Sequence, residues 1–265
     1  MSDEAVPRCS ARDLLCLLVY LLLAHAIFFP ILRPDVFLYG RDTIFHDYPF
    51  LYFYWSEILD HARLALWNPY LFCGLPSLGT FASCPFYPMR WLLAIAPFPV
   101  AFNYQYILSD ALAGGFTYWA GRWMGLRRAP ALLAGLLFMV GGHLVTLAHA
   151  GHLQKFQAIA WLPFVLGCTT AAIRSRRFRY WLGAGVGLGA QLLASHAQIA
   201  YYTILVAGAW TLWLAVTHPA DSRKRLLGYA AGGLTIAMAL TLALSSAQML
   251  PALELGSHTV RGEGV

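Results

Sequence analysis

The sequence predicts an all-α membrane protein, a polytopic bundle of about seven transmembrane helices in a single domain. Apolar residues make up 59% of the 265 residues and charged residues only 11%, and the mean hydropathy is +0.59. Soluble domains carry about a quarter charged residues. The charged residues also cluster in short patches between long apolar stretches, so lipid has to cover much of the remaining surface.

Seven segments are apolar over the length that a bilayer requires, which is about 20 residues for a hydrocarbon core about 30 Å thick. They cover approximately residues 14–32, 101–120, 131–148, 156–173, 180–195, 199–216 and 226–247. The first lacks the cleavage site of a removable signal peptide and is interpreted as a retained anchor. A single helix over residues 180–216 would be roughly 55 Å long, so we expect two helices joined by a turn at 195–198.

The basic residues predict the orientation. Alternating the loops between the two faces places 12 Lys and Arg on the N-terminal face and 6 on the other. The positive-inside rule then makes the N-terminus cytoplasmic and the loop of residues 33–100 extracytoplasmic. The net charge of +6 and the pI of about 9.2 come from residues beside hydrophobic segments. This placement indicates contact with membrane lipids and no nucleic-acid partner.

The loop of residues 33–100 is the candidate site of chemistry, because long loops are uncommon and tend to be functional. Asp42 and Asp47 lie within reach of one another just beyond the first helix, together with His46. Near a low-dielectric interface a carboxylate can act as a general base toward a sugar or polyol hydroxyl. The alternative from spacing alone is a pair of solvated aspartates.

Two cysteines, Cys73 and Cys84, share this loop. If the loop is extracytoplasmic, a disulfide between them and two unpaired thiols are both open alternatives. No cysteine has the spacing of a metal ligand, and an aromatic cluster at residues 48–55 suits a membrane interface.

A series of short motifs along the chain resembles the bacterial YfhO-type membrane protein family. In the loop these are Gly40-Arg-Asp42, Asp47-Tyr-Pro49, Trp67-Asn-Pro69, Gly74-Leu-Pro76 and Pro85-Phe-Tyr-Pro88. Later motifs follow in the family's order: His152 through Trp161-Leu-Pro163, the segment Ser195-His-Ala-Gln-Ile-Ala-Tyr-Tyr202, and Gln248-Met-Leu-Pro-Ala-Leu-Glu254. The likeness covers nearly the whole chain.

The resemblance implies a polytopic glycosyltransferase of the GT-C class in the bacterial inner membrane. Such proteins resemble enzymes that transfer a sugar from a polyprenyl-phosphate donor to an extracytoplasmic glycan or polymer acceptor, with an acidic residue of the first outer loop as the base. By position this residue is Asp42, with Asp47 second. Family members often carry an amide where this chain has His46 and Asp47, which leaves the choice between the two aspartates open. The rival interpretation is a transporter or a flippase for lipid-linked sugars.

Donors or cations should face the departing lipid phosphate. The candidate substrate-binding residues are Arg41, His46, Arg90, His152 and Lys155, and Arg261 is a further cation on the outer face. For each cation the alternative is snorkelling to lipid headgroups. No cofactor is assigned, although a divalent metal could bind through Asp42 and Asp47.

Three further expectations concern the rest of the chain. Asp110 lies in the second predicted span, where it makes either a buried structural hydrogen bond or a substrate contact. The four glycines of residues 183–189 predict close helix packing. The chain ends at Val265 without a closing polar tail, and family members are longer, so we expect an N-terminal part of a longer protein.

Overall fold

Nine α-helices lie in the part of the chain that the structure describes, which comprises residues 7, 9–80, 82, 84–217, 219 and 222–259 of a computed structural model. The helices are α1 (Ala11–Ile27), α2 (Tyr48–His61), α3 (Phe98–Trp123), α4 (Arg128–Met139), α5 (Gly142–Ala150), α6 (Leu153–Ser175), α7 (Arg179–Leu193), α8 (Ala197–Thr217) and α9 (Arg223–Ser257). The all-α prediction is therefore confirmed.

Four stretches are long and apolar enough to cross a membrane, which supports a membrane protein. They are Arg128–Ala150, formed by α4 and α5 together, Leu153–Ser175, Ala197–Thr217 and Arg223–Ser257. They coincide with four of the seven predicted spans. The other three predicted spans fall on α1, α3 and α7 and stay predictions: α1 and α7 have only 17 and 15 residues, and α3 carries buried polar side chains.

Helices α3 and α6 form the centre of the bundle. Helix α3 packs against α1, α4 and α6, while α7 packs between α6 and α9, and α8 lies against α6 and α9. Because the stretch of α4 and α5 and the helices α6, α7 and α8 run in alternating directions through short connections, the turns α5–α6 and α7–α8 meet at the same end of the bundle as the long loop. This end is called the loop end below, and the opposite end is the basic end.

The glycines of α7 allow its close approach to both neighbours. A Cβ on Gly187 would lie 2.8 Å from Val165 of α6, and one on Gly185 would lie 2.7 Å from the carbonyl oxygen of Ala237 in α9. Gly233 of α9 lies closer still to α7, since a Cβ added to it would lie 2.1 Å from the Trp181 ring. The prediction of small-residue packing is confirmed. The predicted break between two helices is also confirmed, because Ser195, with a φ of 64°, separates α7 from α8.

The basic end contains a buried carboxylate. Asp13 has no exposed surface and lies 3.1 Å from Nε of Arg128 and 3.8 Å from Nε of Arg122. It also accepts hydrogen bonds from Ser10 and Tyr118. These contacts join α1 to α3 and α4, and they leave the cluster with a net positive charge at the end that the sequence predicts to be cytoplasmic.

The long loop is folded. It contains a π-helical turn (Thr43–Asp47), helix α2, two short antiparallel strands, β1 (Trp67–Asn68) and β2 (Leu75–Pro76), and a 3₁₀ helix (Pro88–Ala94). Helix α2 is amphipathic, with Leu51 and Tyr54 buried and Tyr52 exposed. The far end of α9 reaches the loop, where Gln248 donates a 2.5 Å hydrogen bond to the carbonyl oxygen of Leu78. Cys73 and Cys84 are not joined by a disulfide.

Candidate functional site

A cavity of about 210 Å³ opens at the loop end between the long loop and two inter-helix turns. It is lined by Asp42, His46, Asp47, Gly151, His152, Gln154, Lys155 and His196. Five of the seven predicted site residues are therefore brought together, although they come from segments more than 100 residues apart. The loop supplies the carboxylates, the α5–α6 turn and the start of α6 supply His152 and Lys155, and the α7–α8 turn supplies His196.

Two glycines bring the loop against the α5–α6 turn. Gly151 has a φ of 85°, and a Cβ there would lie 2.4 Å from Oγ1 and 2.7 Å from the backbone N of Thr43. A Cβ on Gly40 would lie 2.5 Å from the Gly151 backbone. Only glycine fits both positions without displacing the chain. As a result Asp42, next to Thr43, faces His152, next to Gly151.

A buried amide fixes the start of the loop. Asn103 of α3 accepts a hydrogen bond from the N–H of Leu38 at 3.0 Å, and it donates to the carbonyl oxygens of Ile31 and Val36 at 2.9 and 2.7 Å. One side chain thereby satisfies three backbone groups of the segment that leads to Asp42. Sequence reasoning missed this residue, because a polar amide in a helix does not reveal its distant partners.

Asp42 is the accessible carboxylate of the cavity. Its side chain is 46% exposed, and one of its oxygens, Oδ2, lies 2.9 Å from Nδ1 of His152. An imidazole at this distance can orient the carboxylate and share its charge. The other oxygen remains available for a proton from a bound hydroxyl.

Asp47 has a different environment. Its side chain is 4% exposed, Oδ1 accepts a 2.9 Å hydrogen bond from His46, and Oδ2 accepts a 3.3 Å hydrogen bond from the N–H of Leu153 at the start of α6. The hydrogen bond to Asp47 raises the pKa of His46, against the opposing effect of burial, and Asp42 adds to the increase. Asp47 therefore favours the charged form of the His46 imidazole and holds the start of α6 in place.

His196 contributes a neutral donor opposite the carboxylates. Burial, together with the charges of Lys155 and His152, lowers its pKa to about 4. Its Nδ1 accepts a 3.3 Å hydrogen bond from the N–H of Ile199, so the proton of the neutral ring is assigned to Nε2. This residue was missed as a site residue, although the motif that begins at Ser195 contained it.

The two arginines predicted to bind substrate do not line the cavity. Arg41 is exposed and is not among the residues that line it. Arg90 is fully buried in the 3₁₀ helix of the loop, where it donates to Gln105 of α3 and lies over the Tyr87 ring. The prediction that Arg90 faces the membrane surface is wrong, because helix α3 offers it a buried amide partner. Arg261 lies outside the described residues.

The cavity has an acceptor side and a donor side. Asp42 supplies acceptor oxygens, while Lys155 and His196 supply donors beside the N-terminus of α6, where the helix dipole favours an anion. Among the described residues no group of three or more His, Cys, Asp or Glu side chains could hold a metal ion. Each carboxylate is instead paired with its own imidazole.

Comparisons of the chain with protein-family models, with curated proteins and with solved structures gave no match. The resemblance to the YfhO-type family accordingly depends on the motifs themselves and on where they lie in the fold.

Proposed function

We propose that this chain is the membrane domain of a GT-C-type glycosyltransferase related to the YfhO-type family, which transfers a sugar from a polyprenyl-phosphate carrier to an extracytoplasmic acceptor. One observation carries the proposal. Four motifs of the resemblance, those containing Asp42, Asp47, His152 and His196, supply side chains to a single cavity at one end of the bundle. The spacing along the chain accounts for the proximity of Asp42 to Asp47, but nothing in it requires their meeting with His152 and His196.

The reaction is a direct displacement at the anomeric carbon of the sugar. An acceptor hydroxyl attacks this carbon, the carbon–oxygen bond to the phosphate breaks, and the hydroxyl proton passes to Oδ1 of Asp42. His152, at 2.9 Å from the other oxygen, holds the carboxylate in position. We assign the base to Asp42 and not to Asp47, because both oxygens of Asp47 already accept hydrogen bonds within the protein.

The donor side of the cavity would bind the phosphate that leaves. The negative charge of the leaving phosphate grows as the carbon–oxygen bond breaks. Three groups favour negative charge on this side of the cavity: Lys155, the Nε2–H of His196 and the N-terminus of α6. Asp47 raises the pKa of His46 and so favours a further positive charge beside the cavity. The carrier's hydrocarbon tail would remain in the bilayer.

The proposal includes the predicted topology of seven spans with a cytoplasmic N-terminus. The arginine-rich turns at the basic end would then lie in the cytoplasm and the cavity would lie outside. Helices α3 and α7 would cross the membrane shielded by their neighbours, which agrees with the central position of α3 and with the packing of α7 between α6 and α9. Helix α1 would cross it with apolar side chains such as Leu15 and Leu22 facing lipid.

The test is sugar transfer from a panel of labelled polyprenyl-phosphate donors in membranes that contain the full-length protein. Replacing the base, Asp42→Asn, should lower turnover about 10²- to 10⁴-fold while donor binding is retained. Asp35→Asn is the matched control, because Asp35 is an exposed aspartate of the same loop that pairs with Arg33. Equal turnover in both variants would contradict the role of Asp42.

The alternative function is transport, and Asp110 is the observation in its favour. A carboxyl group near the middle of α3 fits a transporter better than an interfacial enzyme. However, the cavity at Asp110 has a volume of only about 90 Å³ and shares no lining residue with the cavity at Asp42. The polar groups suited to a sugar lie at the loop end, so we favour the enzyme.

A further inference from the structure

Asp110 is a fully buried carboxyl group without a hydrogen-bond partner. It is 1% exposed, and neither of its oxygens has a partner among the described residues. This contradicts the expectation of a structural hydrogen bond. The residue lies 12 positions into α3, about 18 Å from the helix start, and so near the middle of the second predicted span. An isolated buried carboxylate would be strongly disfavoured there.

The carboxyl group lines a small apolar cavity of about 90 Å³. The other lining residues are Ile27, Phe28, Met139, Leu144, Val145, Ala148 and Phe156, contributed by four neighbouring helices and the residue that follows α1. None of them is charged or titratable. The closest titratable residue along α3 on the same helix face is Tyr106, one turn earlier.

The cavity lies against the interruption between α4 and α5 and reaches the surface of the bundle. Met139 is the last residue of α4, and Leu144 is in the first turn of α5, so both sides of the interruption contribute. Val145 and Ile27 are 56% and 40% exposed. Since this surface consists of apolar side chains, it would face lipid in a membrane, and a small lipophilic molecule could enter between α1 and α5.

We propose that Asp110 is a proton-binding site inside the bundle, occupied as a neutral carboxylic acid that can be reached from the lipid phase. A metal cation would need several further oxygen ligands, and the lining residues supply none from side chains. A basic partner is likewise absent from the lining. Binding a proton removes the charge without any partner, so it is the state that this apolar cavity stabilises.

The proposal predicts a distinctive reactivity. A lipophilic carbodiimide such as dicyclohexylcarbodiimide adds to a protonated carboxyl group: the acid proton passes to a carbodiimide nitrogen and the carboxyl oxygen bonds to the central carbon. An acyl shift to nitrogen then leaves a stable N-acylurea with the whole mass of the reagent added. No other reactant is needed, and an ionised carboxylate reacts poorly.

The chain offers a control for burial in Asp13. It exposes as little surface as Asp110, but it is paired with Arg128 and Arg122, and its hydrogen bonds lower its pKa and so favour the charged form. The full protein in lipid vesicles is treated with dicyclohexylcarbodiimide at neutral pH and digested, and the peptides that carry the two aspartates are compared by mass spectrometry. We expect modification of Asp110 to exceed that of Asp13 by about tenfold or more. Each unit of difference between the pKa of a carboxyl group and the pH of the medium changes the ratio of its protonated to its ionised form tenfold. The adduct should be lost in Asp110→Asn.

Two results would overturn the proposal. The first is an unmodified Asp110 in a sample whose exposed aspartates react with a water-soluble carbodiimide, which shows that the reagent chemistry works. The second is equal modification of Asp110 and Asp13, because burial alone would then explain the reactivity. Both comparisons use the wild-type chain, so they hold even if Asp110→Asn folds poorly. They are independent of sugar transfer.

Discussion

Gly151→Ala should damage both the stability of the protein and its candidate site. The new Cβ would lie 2.7 Å from the backbone N of Thr43, about 0.7 Å closer than an ordinary contact. The hydroxyl group of Thr43 can rotate away, but the backbone cannot, so the loop has to shift by a similar distance. Overpacking of this kind costs roughly 1–3 kcal/mol, and the φ of 85° adds roughly 1–2 kcal/mol for a residue with a Cβ.

The same shift should affect turnover, because Asp42 directly precedes Thr43 and His152 directly follows Gly151. A displacement of 1 Å at a reacting group can lower a rate about 100-fold, so we expect a loss of roughly ten- to a hundredfold. The assays are thermal unfolding of the purified protein in detergent and sugar transfer in membranes.

Gly142→Ala is the matched control. Gly142 is in the first turn of α5, and a Cβ there would meet nothing within 4 Å. Alanine favours a helix over glycine by up to about 1 kcal/mol, so this variant should unfold at or above the wild-type midpoint with unchanged turnover. The reasoning is refuted if Gly151→Ala matches Gly142→Ala in both assays.

Three further predictions concern other parts of the molecule. Asp13→Asn leaves cations unpaired at the basic end and should lower the free energy of unfolding by up to about 3 kcal/mol, whereas the exposed Asp35→Asn should change it by less than about 1 kcal/mol; denaturation of both variants gives the comparison. The lowered pKa of His196 opposes its protonation in the folded state. The free energy of unfolding should therefore fall as the pH decreases from about 6.5 toward 4, by at most about 2 kcal/mol after solvent screening. A similar fall in His196→Gln would show that the titration of His196 is not its cause. Gly233→Ala drives a Cβ into a ring and should destabilise the bundle by roughly 1–3 kcal/mol or more, while Gly232→Ala, where nothing lies within 4 Å, should leave the unfolding midpoint unchanged or raise it.

Hydropathy identified spans on the outside of the bundle and also the central helix α6, but it was weaker for α3. Helices α8 and α9 expose most of their apolar surface, so their composition alone identifies them as spans. Helix α3 is surrounded by other helices, and its buried face carries Asn103, Gln105 and Asp110. These polar residues lower its hydropathy. The sequence also did not reveal the interruption at residues 140–141, which falls inside one continuous apolar stretch.

Five of the residues that line the cavity were predicted from the sequence, but His196 and the geometry of the site were not. Spacing indicated that Asp42 and Asp47 are close, yet it did not reveal that each pairs with a different histidine. Long-range contacts decide this, and the positive φ of Gly151 and its contact with Gly40 are the physical cause. Arg90 illustrates the opposite case, since a basic residue of an outer loop resembles a surface cation until its buried amide partner is known.

The most direct test of the central claim is the rate of sugar transfer from polyprenyl-phosphate donors by the full-length protein, measured for wild type, Asp42→Asn and Asp35→Asn in the same membranes. The account predicts transfer by wild type and by Asp35→Asn, and a loss of about 10²- to 10⁴-fold in Asp42→Asn with donor binding preserved. Undiminished transfer by Asp42→Asn would remove Asp42 from its role as base. Absence of transfer by wild type with every donor would contradict the enzyme and favour transport.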